Sequence, residues 1–205
     1  MYFQVTYNGE KLIMKILEQI TNRIQISHLI RSLNQPKVCE VGVRHGDFLN
    51  IIAQGNISEA YGVDIWQNTG ANGQNDNLYP QKELDRQYQA TLDRFRHNDK
   101  IKIIREFSDK ASELFDDEYF DFVYLDADHT YEGVKRDLNC WYSKVKTGGI
   151  LSGHDYIDGE LTVKLGHSVR FGVVDAVEEF KKENEIKESN FFTTQEQYAT
   201  FFIVK

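Results

Sequence analysis

Cysteine is scarce in this sequence: Cys39 and Cys140 are the only two among 205 residues, and they do not form a CxxC pair. A metal centre held by several thiolates is therefore excluded. A chain of this length can bury an adequate core without disulfides, so one domain in a reducing, cytoplasmic setting is expected.

Positive charge and long apolar runs are also in short supply. Acidic residues number 32 against 24 basic ones, the formal net charge is -8, and no basic run offsets this excess. Such a chain repels a phosphate backbone, so nucleic acid is not an expected partner. The start at Met1–Gly9 is polar and mixed, and no segment is long enough to span a bilayer. We therefore expect a soluble, unexported protein without a membrane partner.

Apolar residues recur at helical spacing from Glu10 to Leu33, which predicts one or two amphipathic helices that end before Asn34 and Pro36. We expect residues 1–36 to form a helical segment that packs on a core domain at residues 37–205. This segment could instead pack against a second copy of the chain, so a homo-oligomer is one expected form.

Strands and helices alternate through the rest of the chain. Strands are predicted at Lys37–Val41, Ala60–Val63, Lys102–Ile104, Phe120–Leu125 and Gly149–Leu151, with a hairpin of Asn190–Thr194 and Tyr198–Val204. Helices are predicted from Asp47 and over Gln81–His97, Lys110–Phe115, Tyr131–Val145 and Val173–Asn184. This order predicts an α/β fold: a doubly wound Rossmann-like sheet, mostly parallel, with an antiparallel C-terminal hairpin strand and helices on both faces.

Two long polar connections interrupt this alternation, at Trp66–Pro80 and His154–Ser168. Because each follows a strand at the binding edge, we expect both to form walls or lids over the site. A disordered insertion at Asn68–Asn77 is the alternative for the first of them.

Acids and histidines follow two of the predicted strands. Asp126, Asp128 and His129 come directly after an apolar run, and His154 and Asp155 follow the next strand. Ligands in open α/β sheets bind beyond the carboxyl ends of the strands. Both groups are therefore expected to face one crevice.

The first predicted strand carries Glu40 near its end, and the chain continues through Gly42 to Gly46 at the start of a helix. A dinucleotide motif counted from Gly42 would need glycines at positions 44 and 47, which are Arg44 and Asp47, and no phosphate-binding GKS or GKT follows. A nucleoside ligand without a pyrophosphate remains. A cationic centre on it would suit Glu40, and a ribose diol would suit Asp64 at the end of the second strand.

These segments resemble the class I S-adenosylmethionine-dependent methyltransferases. Glu40–Gly46 looks like their first motif, Tyr61–Asp64 like the second, and Asp121–Tyr131 with Lys146–Leu151 like the fourth and fifth. The Leu-Asp-Ala-Asp-His-Thr-Tyr-Glu and Gly-His-Asp-Tyr segments look like the family 24 methyltransferases, which are often attached to sugar or natural-product modification.

The resemblance implies S-adenosylmethionine as the cofactor and assigns its contacts. Glu40, Gly42 and Gly46 would line the methionine part, and Asp64 would bind the ribose. Phe107 and Ser108 would lie near the adenine, and Asp126 would complete the cofactor site.

At the catalytic end, His129 titrates near neutrality and is our candidate general base. Similarity to the metal-dependent catechol and caffeoyl O-methyltransferases implies Asp126 and Asp155 as ligands for Mg²⁺ or another divalent cation. Their next ligand is an asparagine, where this chain has Tyr156. His154 is a second candidate acid-base group or acceptor contact, with a purely structural hydrogen bond as the alternative.

The resulting hypothesis is O-methylation of a hydroxyl on a small polar molecule such as a sugar or a natural product. An N-methyltransferase acting on a small amine is the second hypothesis. A catalytically silent domain that binds a nucleoside or serves assembly is the third.

Overall fold

The computed structural model describes residues 7–70 and 79–205. Within these ranges the strands are β1 (Lys37–Val41), β2 (Glu59–Asp64), β3 (Ile101–Arg105), β4 (Phe120–Leu125), β5 (Val145–Tyr156), β6 (Phe191–Thr193) and β7 (Ala199–Val204). The α-helices are α1 (Tyr7–Leu17), α2 (Ile26–Ser32), α3 (Asp47–Ile52), α4 (Gln81–Phe95), α5 (Ser108–Ser112), α6 (Tyr131–Tyr142), α7 (Gly159–Lys164) and α8 (Val173–Glu183). Of the helices in these ranges, none combines the length and apolar character needed to cross a membrane.

The seven strands form one mixed sheet in the order β3-β2-β1-β4-β5-β7-β6. Strands β1 to β5 are parallel, and Val38 of β1 lies between Ala60 of β2 and Phe122 of β4. β7 is antiparallel to β5, and β6 is antiparallel to β7. The predicted fold class is confirmed, including the antiparallel hairpin at the C-terminal end.

Alternate residues of the central strands enter two hydrophobic cores, one on each face of the sheet. On β4, Phe122 and Tyr124 belong to one core, while Val123 and Leu125 belong to the other. Helices α1 to α4 cover the first core, and α5, α6 and α8 cover the second. Burial on both faces explains why β4 reads as an unbroken apolar run.

The N-terminal segment contains two α-helices separated by a 3-10 turn at Arg23–Gln25. The Asn22 side chain accepts a hydrogen bond from the backbone N–H of Gln25 at 3.3 Å, which caps this turn. The turn is also tied to the β6–β7 connection, because the Gln195 N–H donates to the Thr21 carbonyl at 3.1 Å. The segment packs on the same face as α3 and α4, while a domain boundary at residue 36 stays a prediction.

The region predicted as one polar connection, His154–Ser168, has a different structure. β5 runs on to Tyr156, where it pairs with Ala199 of β7 beyond a bulge, and α7 follows. The Asp158 side chain caps α7 by accepting two backbone N–H groups. The prediction of a continuous loop was wrong because pairing with β7 extends the strand, and that partner lies far away in sequence. The helix predicted at Lys110–Phe115 is observed at Ser108–Ser112 (α5), so it begins and ends earlier than predicted.

The connection at Trp66–Pro80 is anchored at its described ends. The Trp66 indole N–H donates to the Arg44 carbonyl at 3.0 Å, and the Gln81 side-chain amide donates to the Trp66 carbonyl at 3.0 Å. Residues 71–78, and with them most of the Asn68–Asn77 insertion, lie outside the described residues. The role of this connection as a lid stays a prediction.

Candidate active site

The carboxyl ends of β2, β1, β4 and β5 meet at one edge of the sheet and border a cleft of about 560 Å³. β2 and β4 lie on opposite sides of β1, which is the arrangement that opens a crevice in α/β sheets. The side chains predicted for the site border this cleft, except for Gly46: Glu40, Gly42, Asp64, Phe107, Ser108, Asp126, His129, His154 and Asp155. Their convergence defines the candidate active site.

The turn after β1 depends on glycine at two positions. Gly42 has φ +95°, and a Cβ there would lie 2.0 Å from the Asp126 carbonyl oxygen. Gly46 has φ +75°, and a Cβ there would lie 2.6 Å from the Phe95 ring. Gly42 therefore lets the turn after β1 approach the end of β4. Gly46 lets the same turn pack against the Phe95 ring, outside the lining of the cleft.

Glu40 places a buried carboxyl at the centre of the cleft. Its side chain is 2% exposed, and its Oε2 atom has no hydrogen-bond partner among the described residues. Burial, together with the nearby Asp126 carboxylate, raises the pKa of Glu40 well above its usual value. An unpartnered buried carboxyl oxygen is costly, so a ligand with a cationic or N–H donor group is favoured at this position.

Asp64 ends β2 with both carboxylate oxygens fixed by backbone donors. Its Oδ2 accepts from the Arg44 N–H at 2.8 Å, and its Oδ1 accepts from the Trp66 N–H at 3.0 Å. Burial raises the pKa of Asp64, and these backbone hydrogen bonds oppose the rise. These backbone donors fix the orientation of the carboxylate, which is therefore a preoriented acceptor on the cleft wall.

Phe107 and Ser108 lie where β3 passes into α5. The Phe107 ring is 47% exposed although it borders the cleft, which makes it available for stacking. The Ser108 hydroxyl oxygen accepts from the Trp141 indole N–H at 2.9 Å. This end of the cleft therefore combines an exposed ring with a fixed polar group.

The ends of β4 and β5 bring His129 between two carboxylates. Its Nε2 atom lies 2.7 Å from Oδ2 of Asp155 and 3.4 Å from Oδ1 of Asp126. Burial alone would lower the pKa of His129, but these two carboxylates raise it to about 10. In this arrangement the ring is largely protonated at neutral pH. Burial opposes ionisation of Asp155, but hydrogen bonds from His129 and His154 hold the pKa of Asp155 below its usual value.

Asp126, His154 and Asp155 form a set that could hold a metal ion, because one ligand atom from each lies within 4.8 Å of the others. The Nδ1 atom of His154 lies 3.0 Å from Oδ1 of Asp155 and 3.9 Å from Oδ1 of Asp126. Two carboxylates and an imidazole are a donor set that fits a divalent cation. His154 supplies the third donor of this set, whereas the similarity to metal-dependent enzymes had directed attention to Tyr156.

Two neighbours of this cluster could not be predicted from the sequence. Arg23, in the 3-10 turn, places its Nη1 atom 3.3 Å from Oδ2 of Asp126, and its guanidinium group lies over the Phe48 ring, 5.0 Å from the ring centroid. Phe171 stacks on the His129 ring with centroids 4.8 Å apart and planes at 17°. No motif marks either residue, since both reach the site only through tertiary packing.

A family model described as a methyltransferase domain, Methyltransf_24, matches residues 39–156, more than half of the chain. The chain belongs to this methyltransferase family. The matched region contains the β1 turn, Asp64 and the ends of β4 and β5. The resemblance read from the sequence is confirmed, and the protein is an S-adenosylmethionine-dependent methyltransferase.

Solved structures similar to this methyltransferase share its fold at low sequence identity. An O-methyltransferase from Bacillus cereus, in complex with SAH, has a TM-score of 0.59 and 12% identity, with 96% of this chain and 90% of that chain covered. A candidate caffeoyl-CoA O-methyltransferase from Staphylococcus aureus has a TM-score of 0.61 and 16% identity, with 96% and 92% covered. A candidate rRNA methylase from Clostridium thermocellum has a TM-score of 0.60 and 16% identity, with 91% and 98% covered. No curated protein sequence matches the chain.

Proposed function

We propose that this methyltransferase transfers the methyl group of S-adenosylmethionine to a hydroxyl group on a small polar molecule, such as a sugar or a natural product. The observation that carries the proposal is the position of His129 Nε2, 2.7 Å from Asp155 and 3.4 Å from Asp126. A hydroxyl must lose its proton as it attacks the methyl carbon, and a positioned histidine commonly accepts such a proton. The excess of acidic residues, 32 against 24 basic, argues against RNA as the acceptor.

The cleft offers a separate position to each part of the cofactor. In this proposal the unpartnered oxygen of Glu40 accepts a hydrogen bond from the amino group of the methionine part, beside the close turn at Gly42. The carboxylate of Asp64 binds the ribose diol, and Phe107 and Ser108 contact the adenine; all three residues border the cleft. Asp126, directly after β4, completes the cofactor site in this proposal.

The proposed reaction is an in-line displacement. The acceptor oxygen forms a bond to the methyl carbon as the S–C bond breaks, and S-adenosylhomocysteine leaves with the electron pair on sulfur. The acceptor proton passes to the neutral form of the His129 ring, which is the minor form at neutral pH because Asp126 and Asp155 raise the pKa of the ring to about 10. The same two carboxylates stabilise the imidazolium that results. The fixed carboxylates also hold the ring in one orientation, which supplies part of the alignment the reaction needs.

Asp126, His154 and Asp155 are the residues that would hold a divalent cation in this enzyme. Such a cation, when bound, would orient the acceptor hydroxyl and favour its ionised form. His154 is then a ligand in this proposal, and His129 is the acid-base group.

The test is an acceptor screen with S-adenosylmethionine in which hydroxyl and amine acceptors are compared side by side. For a hydroxyl acceptor, His129→Ala is expected to lower kcat by about a hundredfold or more, since general base catalysis is lost. His97→Ala, an exposed histidine outside the cleft, is the matched control and should retain the wild-type rate. Turnover of amines alone, with little effect of His129→Ala, would overturn O-transfer in favour of N-methylation.

A calorimetric titration with S-adenosylhomocysteine separates the enzyme from a silent assembly domain. Saturable binding by the wild type and its loss in Asp64→Ala are expected, because the substitution removes the preoriented acceptor on the cleft wall. Asp116→Ala, at an exposed position away from the cleft, should bind as the wild type does. A folded wild type that does not bind the nucleoside would contradict the assigned cofactor positions.

A further inference from the structure

Asp137 is a buried acid that the proposed reaction does not use. It lies on α6, on the helix face that Val134, Leu138 and Trp141 bury against the sheet, and only 2% of it is exposed. It nevertheless borders the cleft, at the end where Phe107 and Ser108 also lie. An acid at a core position of an amphipathic helix is unfavourable unless it has a partner.

The described residues do not provide a full set of partners for this carboxyl. Its Oδ1 atom is buried and has no hydrogen-bond partner among the residues that the structure describes. The nearest cation, Nε of Arg136, is 3.7 Å away, beyond hydrogen-bond distance. Burial raises the pKa of Asp137 to about 7, against the opposing effect of the Ser108 hydroxyl. Both protonation states of the carboxyl keep an oxygen that can accept a hydrogen bond.

The surroundings of Asp137 restrict where its carboxyl lies. The Trp141 indole N–H donates to Ser108 at 2.9 Å, and Ser108 in turn is a hydrogen-bonding neighbour of Asp137. Trp141 is fully buried in the core, so this chain of groups is anchored on a rigid side chain. The acceptor oxygen of Asp137 is therefore held at the cleft margin, beside the exposed Phe107 ring.

We propose that Asp137 accepts a hydrogen bond from the exocyclic amino group of the cofactor's adenine and so selects adenine as the base. The amino group is the hydrogen-bond donor on the adenine ring, and a ring stacked on Phe107 lies at the same end of the cleft as Asp137. A ligand donor satisfies the oxygen that the protein leaves without a partner, which makes recognition favourable where an apolar or acceptor group would be rejected. The role of Asp137 depends on binding of the proposed cofactor and not on the acceptor hydroxyl, so failure of O-transfer would not contradict it.

The test compares the binding of S-adenosylhomocysteine with that of its deamino analogue, in which hydrogen replaces the amino group of the purine. The wild type is expected to bind S-adenosylhomocysteine at least about tenfold more tightly, since the analogue leaves a buried acceptor unpaired. Asp137→Ala should reduce this preference to near unity, while Asp137→Asn, which keeps a carbonyl acceptor, should retain part of it. Asp109→Ala removes an acid near Asp137 that does not border the cleft, and it should leave the preference unchanged.

Two outcomes would overturn the proposal. One is a wild type that binds both compounds equally, a result that needs no variant and holds even if Asp137→Ala does not fold. The other is a folded Asp137→Ala protein that binds both compounds more weakly by the same factor, because a residue that only supports Ser108 and Trp141 would not distinguish the amino group from hydrogen. A buried water that satisfies Asp137 would give the first result.

Discussion

At the scale of single residues, the catalytic end of the cleft differs from an all-oxygen metal site by one side chain. Asp126 and Asp155 offer carboxylate oxygens, while His154 offers the Nδ1 atom of an imidazole, 3.0 Å from Asp155. Carboxylates alone suit Mg²⁺, whereas an added imidazole shifts preference toward transition metals such as Co²⁺ and Zn²⁺. In the proposed metal site, the identity of residue 154 should therefore influence which cation is preferred.

We predict that His154→Asp shifts the metal preference toward Mg²⁺. The substitution replaces the nitrogen donor with an oxygen donor, so affinity for Co²⁺ relative to Mg²⁺ should fall by about tenfold or more. Calorimetric titration of each metal, with the visible absorption of Co²⁺ as an independent signal, measures the change. His97→Asp introduces the same group outside the cleft and serves as control. An unchanged Co²⁺ to Mg²⁺ ratio would show that His154 does not ligate the ion.

The glycine at position 42 leads to a second prediction at this scale. Gly42→Ala should destabilise the protein by at least about 2 kcal/mol and abolish cofactor binding, because its Cβ would lie 2.0 Å from the Asp126 carbonyl. Gly166 also has positive φ, at +93°, but a Cβ there meets no heavy atom within 4 Å. Gly166→Ala thus measures the backbone strain alone. Equal losses of unfolding free energy in the two variants, measured by denaturant titration, would refute a steric role for Gly42.

At the scale of secondary structure, the strand and helix order could be predicted because local patterns determine it. β4 is recognisable as an apolar run, and Glu40 and Asp64 could be assigned because they lie at the carboxyl ends of apolar strands. Arg23 could not be assigned in this way, since only the packing of the N-terminal segment brings it to Asp126. The extension of β5 was missed for a similar reason, because its partner β7 lies far along the chain. Asp137 did leave a signal, as an acid on the apolar face of α6.

The N-terminal segment is therefore expected to stabilise the fold and to position Arg23 beside Asp126. Leu29, in α2, is fully buried, so Leu29→Ala should lower the free energy of unfolding by about 2–5 kcal/mol through lost burial and the cavity that remains. Ile24, in the adjacent turn, is 64% exposed, and Ile24→Ala should change the free energy of unfolding by less than about 0.5 kcal/mol. Denaturant titration of both variants checks this. A loss below 1 kcal/mol for Leu29→Ala would mean that α2 does not pack on the sheet as described.

At the scale of the whole molecule, two cores on opposite faces support a sheet whose strand ends deliver acids to one edge. Placing Glu40, Asp64, Asp126, Asp137 and Asp155 in one cleft concentrates negative charge in a chain that already carries a net charge of -8. Burial raises the pKa of Glu40, Asp64 and Asp137. Because ionisation of these groups opposes folding, the free energy of unfolding should depend on pH, and that dependence measures how strongly the cleft favours their neutral forms.

Asp137 gives the sharpest form of this dependence. Because burial raises its folded-state pKa to about 7, above the ordinary value of 3.8, the folded state holds the proton more tightly than the unfolded state. The contribution of neutral Asp137 to the free energy of unfolding is fully present below pH 4 and is lost as the pH rises toward 7. The loss is roughly 4 kcal/mol, at about 1.36 kcal/mol per pKa unit. Asp137→Asn cannot ionise, so its free energy of unfolding relative to the wild type should increase from pH 4 to pH 7 and then stay constant. Denaturant titrations at several pH values measure this difference, and a pH-independent difference would show that the carboxyl is not held in its neutral form by burial.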